Sequence, residues 1–262
     1  MLRADALTLC YPGRALVEGL SASFLPGEVW GVLGRNGSGK STLLHALAAL
    51  TTPQSGAVML DGKPIASLPR RAAARRLGTL LQEESREFWG SARDYVLLGR
   101  YPHAQSPFGW GRDDELIVDA EMQALHLDHL AAHPYVSLSG GERQRARLAA
   151  LLAQRPGIYL LDEPLQHLDL PHQVATLERL AREAREHAAV VVMVLHDLLF
   201  AARYCNRLLL LSGDGRFRMG GANEVMNAEN LGELYGFPLV AVDVGGERLF
   251  LPGQRAAASP DV

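Results

Sequence analysis

The sequence predicts an α/β fold on a mainly parallel sheet, with an antiparallel β part at the N-terminus and a helical subdomain at the sheet's edge. Three observations predict it. Short unbroken apolar runs bounded by turn residues read as strands buried on both faces, at 29–33, 77–81, 158–161, 190–195 and 208–211. Helical patterns lie between them, at 41–50, 114–125, 142–153 and 171–187, and strands that alternate with helices pair in parallel. The stretch 2–24 differs, with short runs interrupted at Pro12-Gly13, as antiparallel strands require.

The remaining organisation follows from the same patterns. The segment from about 83 to 155 is mostly helical and forms the subdomain. Residues 240–251, broken at Gly245-Gly246, read as a hairpin. Residues 1–252 are expected to form one domain, and 253–262 a frayed tail.

Composition excludes several classes. With 262 residues, 48% hydrophobic and 21% charged, the chain can bury a large core. A net charge of -3 argues against a nucleic-acid partner, whose binding domain is usually basic. The basic run 69–76 reads as the solvated face of a short helix. Cys10 and Cys205 both sit in apolar surroundings and are expected to be buried free thiols in a reducing compartment. No secretory leader pattern opens the chain. The longest apolar run, 188–195, is far short of the roughly 20 residues that span a bilayer. A cytoplasmic location is expected, with any membrane role reached through a partner.

Three segments carry chemistry. Gly34-Arg35-Asn36-Gly37-Ser38-Gly39-Lys40-Ser41-Thr42 follows a strand and opens a helix, the setting a phosphate-binding P-loop needs. Its glycines let successive N–H groups face a phosphate, the helix adds its positive end, and Lys40 adds a point charge. The Ser41 hydroxyl is a hard oxygen suited to Mg²⁺. The second segment, Ile158-Tyr159-Leu160-Leu161-Asp162-Glu163-Pro164, is an apolar strand ending in two acids, at the end of the sheet where ligands collect. Asp162 is the candidate metal ligand and Glu163 the candidate general base. The third, Leu138-Ser139-Gly140-Gly141-Glu142-Arg143-Gln144, is a helix start in which Ser139 and Glu142 form a capping box. Gly140 and Gly141 weaken that helix by about 1 kcal/mol each relative to alanine, which makes sense where a ligand must approach the backbone.

The third segment resembles the signature motif of ABC ATPases, and the other two match that family's Walker motifs in the family's order. The resemblance covers essentially the whole chain. It implies a P-loop NTPase (RecA-like) core that hydrolyses ATP with Mg²⁺. It also implies a head-to-tail homodimer around two ATP molecules, in which Ser139, Gly140 and Gly141 of one chain bind the γ-phosphate held by the P-loop of the other. Residue by residue, Tyr11 resembles the aromatic that stacks on adenine, and Gln82 the Q-loop glutamine that reaches Mg²⁺ and the attacking water. His196 resembles the switch histidine that contacts the γ-phosphate and supports Glu163. Leu168-Asp169 resembles the D-loop, although Leu165-Gln166-His167 departs from the small hydroxyl-bearing residues common before it.

By the same resemblance, transmembrane permease subunits dock between Gln82 and His103, and a substrate-binding protein is met only indirectly. The chain would then lie peripherally on the inner face of the cell membrane. Leu97-Leu98-Gly99-Arg100-Tyr101-Pro102-His103 is similar to a segment in ATPases that drive import of iron–siderophores, haem and cobalamin. The alternatives are an exporter subunit and a soluble ABC protein of translation or chromosome maintenance. The latter usually carries two ATPase domains or coiled-coil arms, whereas this chain has one P-loop, one signature and no sustained heptads. A P-loop kinase is a further, lesser alternative. The cargo is not legible in the sequence.

Overall fold

The computed structural model describes residues 1–82, 88–104 and 110–253. The N-terminal strands β1 (Leu2–Tyr11) and β2 (Arg14–Phe24) pair antiparallel, and β3 (Val29–Gly34) then enters a second sheet. Helix α1 (Lys40–Leu47) follows, and β4 (Ser55–Leu60) and β5 (Lys63–Pro64) complete the first sheet in the order β2-β1-β4-β5. After the short α2 (Arg70–Ala74) come β6 (Leu77–Leu80), α3 (Ala92–Leu97), α4 (Arg112–Ala124) and α5 (Gly140–Gln154). The chain then alternates through β7 (Ile158–Asp162), α6 (Leu170–His187), β8 (Val190–Val194), α7 (Leu198–Tyr204) and β9 (Arg207–Leu211). It closes with β10 (Phe217–Gly221), α8 (Ala222–Val225), α9 (Ala228–Tyr235) and a hairpin of β11 (Leu239–Val244) and β12 (Glu247–Pro252).

The second sheet has the order β10-β9-β3-β8-β7-β6, parallel throughout except for the edge strand β10. Its strands are unbroken apolar runs because both faces are covered. Along β7, Tyr159 and Leu161 join the core shared with α3 to α6, while Ile158 and Leu160 join the core shared with α1 and the antiparallel sheet. Strand β8 divides in the same way, with Val191 and Met193 on one side and Val190, Val192 and Val194 on the other. Helix α1 touches strands of both sheets, so the loop before it is held between them. Helices α3, α4 and α5 pack on one another beside the edge strand β6.

The two ends of the parallel sheet differ. At the amino ends of β6 and β7, charges are paired within the chain. Arg179 of α6 bridges Glu121 of α4 at 3.0 Å and also Glu183, which accepts from the Tyr159 hydroxyl at 3.2 Å. Burial and the neighbouring Glu183 carboxylate push the Tyr159 phenol far above its usual range. The carboxyl ends carry the loops of the candidate site.

One expectation is overturned. Cys205 is buried, and burial pushes its thiol up to about 12, but Cys10 is exposed and donates from its Sγ to Gln54 Oε1 at 2.6 Å. Leu7 and Leu9 of β1 face the core, and the pleat turns the next residue to the other side. Apolar neighbours in sequence are not neighbours on one face. The hairpin turn is as expected, with Gly245 and Gly246 both at positive φ (60° and 85°). The expected tail lies, but for Gly253, outside the described residues, as do residues 83–87 and 105–109.

Candidate functional site

Strand order assembles the site. Strands β3, β8, β7 and β6 are consecutive neighbours running in parallel, so the loops after them open on one edge of the sheet. The P-loop follows β3, His196 follows β8, Glu163 follows β7 and Gln82 follows β6. A cleft of about 700 Å³ there is lined by Asn36, Gly37, Gly39, Lys40, Ser41 and Thr42, with Gln82, Glu163, His196 and Tyr11. Gly34 ends β3 beneath this surface, and Ser38 is buried, its hydroxyl without a hydrogen-bond partner. Tyr11, at the end of β1, is 69% exposed.

The loop leaves backbone donors open at a helix start. Gly39 caps α1 at φ 98°, a conformation L-residues rarely adopt, and a Cβ there would lie 2.9 Å from Leu16 Cβ. No side chain caps the helix, so its first turn is left for a ligand. The Lys40 ammonium is buried and donates to the Gly34 and Arg35 carbonyls at 2.9 and 3.0 Å. Burial lowers its pKa, against the pull of Glu163 and Asp162. An anion at this position would hold the charged form.

The acids divide the work by position. Asp162, the last residue of β7, is 2% exposed, and neither carboxylate oxygen has a hydrogen-bond partner. Burial raises its pKa; the Ser41 hydroxyl beside it opposes that rise without completing a hydrogen bond, and Glu163 adds to it. A buried carboxylate left unpaired is costly, and with Ser41 it supplies the hard oxygens that suit Mg²⁺. Glu163 is forced to φ 49°, where a non-glycine residue stores about 1–3 kcal/mol of strain. In that conformation its Oε1 sits 2.7 Å from His196 Nε2.

The signature residues lie outside this cleft. Ser139 caps α5, its Oγ accepting from Glu142 N at 3.3 Å while Glu142 Oε2 accepts from Ser139 N at 2.7 Å. The helix starts at Gly140, two residues before the expected boundary. His167, at φ 64°, lies against this helix start, and its carbonyl would stand 2.9 Å from a Cβ on Gly141. The turn after Glu163 and the signature thus touch within one chain. Inside α5, buried Gln144 donates to the Pro164 carbonyl at 2.9 Å and accepts from Arg147 at 2.9 Å, and Arg147 also donates to the Leu81 carbonyl.

Two residues of the cleft escape a motif-based reading. Arg14 and Leu16 line it from β2, and Arg14 Nε donates to the Gly213 carbonyl at 2.5 Å. Leu16 is the contact that Gly39 leaves room for, and nothing local in the sequence marks either residue.

Comparison with known proteins places this geometry. A family model described as ABC transporter matches residues 17–166. The ferric enterobactin transport ATP-binding protein FepC of Escherichia coli is 39% identical over 98% of this chain and 96% of its own. The hemin import ATP-binding protein HmuV of Pseudomonas aeruginosa is 42% identical over 92% of this chain and 94% of its own. Among solved structures, a metal-chelate type ABC transporter in an inward-facing conformation superposes with a TM-score of 0.82 at 28% identity, covering 97% of this chain and 98% of that one. An ATP-binding cassette in a dimeric post-hydrolysis state bound to ADP and Pi superposes at 0.75 with 25% identity, covering 84% of this chain and 98% of that one. The family match and the identity to these relatives over nearly the whole chain show that the chain belongs to the ABC transporter family as an ATP-hydrolysing subunit.

Proposed function

We propose that two copies of this chain close head-to-tail around two ATP molecules and drive a membrane importer for an iron–siderophore, haem or cobalamin. The observation that carries the dimer is the division of the site. The P-loop, Glu163, His196 and Gln82 share one cleft, while Ser139, Gly140 and Gly141 stand outside it on a helix start that a second chain can reach. In the closed pair, Tyr11 stacks on adenine. The P-loop backbone from Gly34 to Thr42, with Lys40, grips the phosphates. The partner's signature adds donors to the same γ-phosphate. Glu163 takes the proton of the attacking water, and His196, in contact with Glu163, holds that carboxylate in place and meets the γ-phosphate. Ser41, Asp162 and Gln82 would hold Mg²⁺, which when bound would supply positive charge to offset that developing on the phosphates. Cleavage removes the bridging γ-phosphate, and the pair opens.

The import reading rests on relatives such as FepC and HmuV, and on a cobalamin import ATP-binding protein, BtuD of Halobacterium salinarum, 42% identical over 80% of this chain and 52% of its own. Among the described residues no helix is long and apolar enough to cross a membrane; in this reading transmembrane permease subunits supply the path. Trp89, Leu98 and Tyr101, in the stretch between Gln82 and His103, expose 91, 46 and 64% of their surface, as an apolar docking site requires. The chain then sits at the cytoplasmic face of the membrane through these subunits. Deleting the gene and following labelled ferric siderophore, haem and cobalamin tests this. Loss of one uptake, restored by the wild type and not by Lys40→Ala, supports the reading. Normal uptake of all three, with no second system present, refutes it.

A further inference from the structure

Between α3 and α4 the chain makes a 3₁₀ turn, Leu98–His103, with Leu98 and Tyr101 facing outward. Its inner side is fastened to the C-terminal turn of α5. The last carbonyls of any α-helix lack intrahelical partners. Here Arg100 Nη1 donates to the Ala153 carbonyl at 2.7 Å, and His103 Nε2 donates to the Gln154 carbonyl at 2.8 Å. The carbonyl can only accept, so the His103 proton sits on Nε2. Arg100 is 8% exposed and is held from behind by Asp114 of α4 at 2.8 Å, and its charge suits the negative end of the helix. Gly99 closes the approach, since a Cβ there would lie 2.0 Å from the Ala150 carbonyl. Arg71 and Arg75 hold the turn from the other side through the Pro102 carbonyl, at 3.0 and 2.7 Å.

The same helix carries the signature at its other end. Over 15 residues α5 runs about 22 Å from Gly140 to Gln154. Part-way along it, Gln144 and Arg147 hold Pro164, next to Glu163, and Leu81, next to Gln82. The turn, the helix and the two catalytic loops therefore form one hydrogen-bonded body.

We propose that Arg100 and His103 are coupling residues. They clamp the Leu98–His103 turn to the C-terminal carbonyls of α5, so that a displacement of the turn by the membrane subunits moves the signature at Gly140 as the far end of a single strut. This rests on the reading that those subunits dock on the turn. Neither residue touches nucleotide; both act by positioning the helix.

The test uses the complex with the co-expressed membrane subunits in lipid nanodiscs and reads the ratio of stimulated to basal ATP turnover. His103→Leu removes the donor, and His103→Gln keeps an amide N–H at similar reach. The ratio is expected to fall about fivefold or more in His103→Leu, within the ordinary span of coupling between sites, and to recover in His103→Gln. A wild-type ratio in His103→Leu, or a Gln variant as defective as the Leu variant, overturns the clamp. The docking reading is read separately: Tyr101→Ala should weaken attachment of the subunit to its membrane partners. Unchanged attachment refutes docking on the turn and the clamp with it. Weakened attachment together with a wild-type ratio in His103→Leu refutes the clamp alone.

Discussion

Helices α1 and α5 both have glycine at their starts, and the two starts are built in opposite ways. Helix α1 is capped by Gly39 in the left-handed region with no side-chain bond, and its first residue, Lys40, is buried. Helix α5 is capped by Ser139 and closed by the Ser139–Glu142 box, which also draws the Glu142 carboxyl below its usual pKa. The first start has no side-chain cap, which suits an anion. The second is stable in the single chain and sits outside the cleft, with His167 against it. A helix start with an open cap and a buried cation is a receptor by itself, whereas a self-capped start can serve a phosphate that something else brings.

Substitutions at the two starts should therefore separate. Lys40→Ala removes the buried charge of the open start and is expected to lower ATP turnover by about a hundredfold to a thousandfold, as loss of one preorganised electrostatic group does. Steady-state phosphate release measures it, and near-normal rates would break the contrast. Ser139→Ala acts on the capped start. It should cost the monomer about 1 kcal/mol of stability through the lost cap, seen in urea unfolding. It should also slow turnover of the paired chains by roughly tenfold if the hydroxyl reaches a charged phosphate. A stability loss without a rate loss would leave α5 a structural start only.

The acid at the end of β7 offers a third contrast. Asp162 is buried with both oxygens unpaired and a raised pKa. An acid whose folded pKa lies above its unfolded one binds more protons in the native state, so stability falls as pH rises through the carboxylate range. Nucleotide-free Asp162→Asn should thus be more stable than wild type near neutral pH by about 1–3 kcal/mol, with the gain shrinking in acid. MgATP should stabilise the wild type and not the variant. Equal melting temperatures across pH would show that Asp162 is already compensated.

Much of this was legible in the sequence because the parallel strands bury both faces and their loops carry the motifs. The runs at 29–33, 158–161 and 190–195 correspond to β3, β7 and β8 within a residue or two, Asp162 ends its strand, and Glu163, His196 and Gln82 fall one or two residues past theirs. What escaped was set by long-range packing. Cys10 is exposed because its apolar neighbours along the chain face the core and the pleat turns it away from them. Arg14 and Leu16 enter the cleft only because the antiparallel sheet packs against α1. Helix α7 was missed although Asp197 caps it, accepting from Leu199 N at 2.7 Å, since seven residues leave little periodicity to read. The clamp on α5 joins residues 53 and 51 apart in sequence and leaves no local signal.

If each chain completes the other's site, Glu163→Gln should trap the pair. That change keeps the shape of the site and removes the base, so bound ATP should persist. Sedimentation velocity should find monomers without nucleotide and dimers with MgATP, and the dimers should be lost when Gly141→Glu is added at the signature. Monomers throughout at saturating MgATP, or dimers that ignore the Gly141 change, would contradict the account.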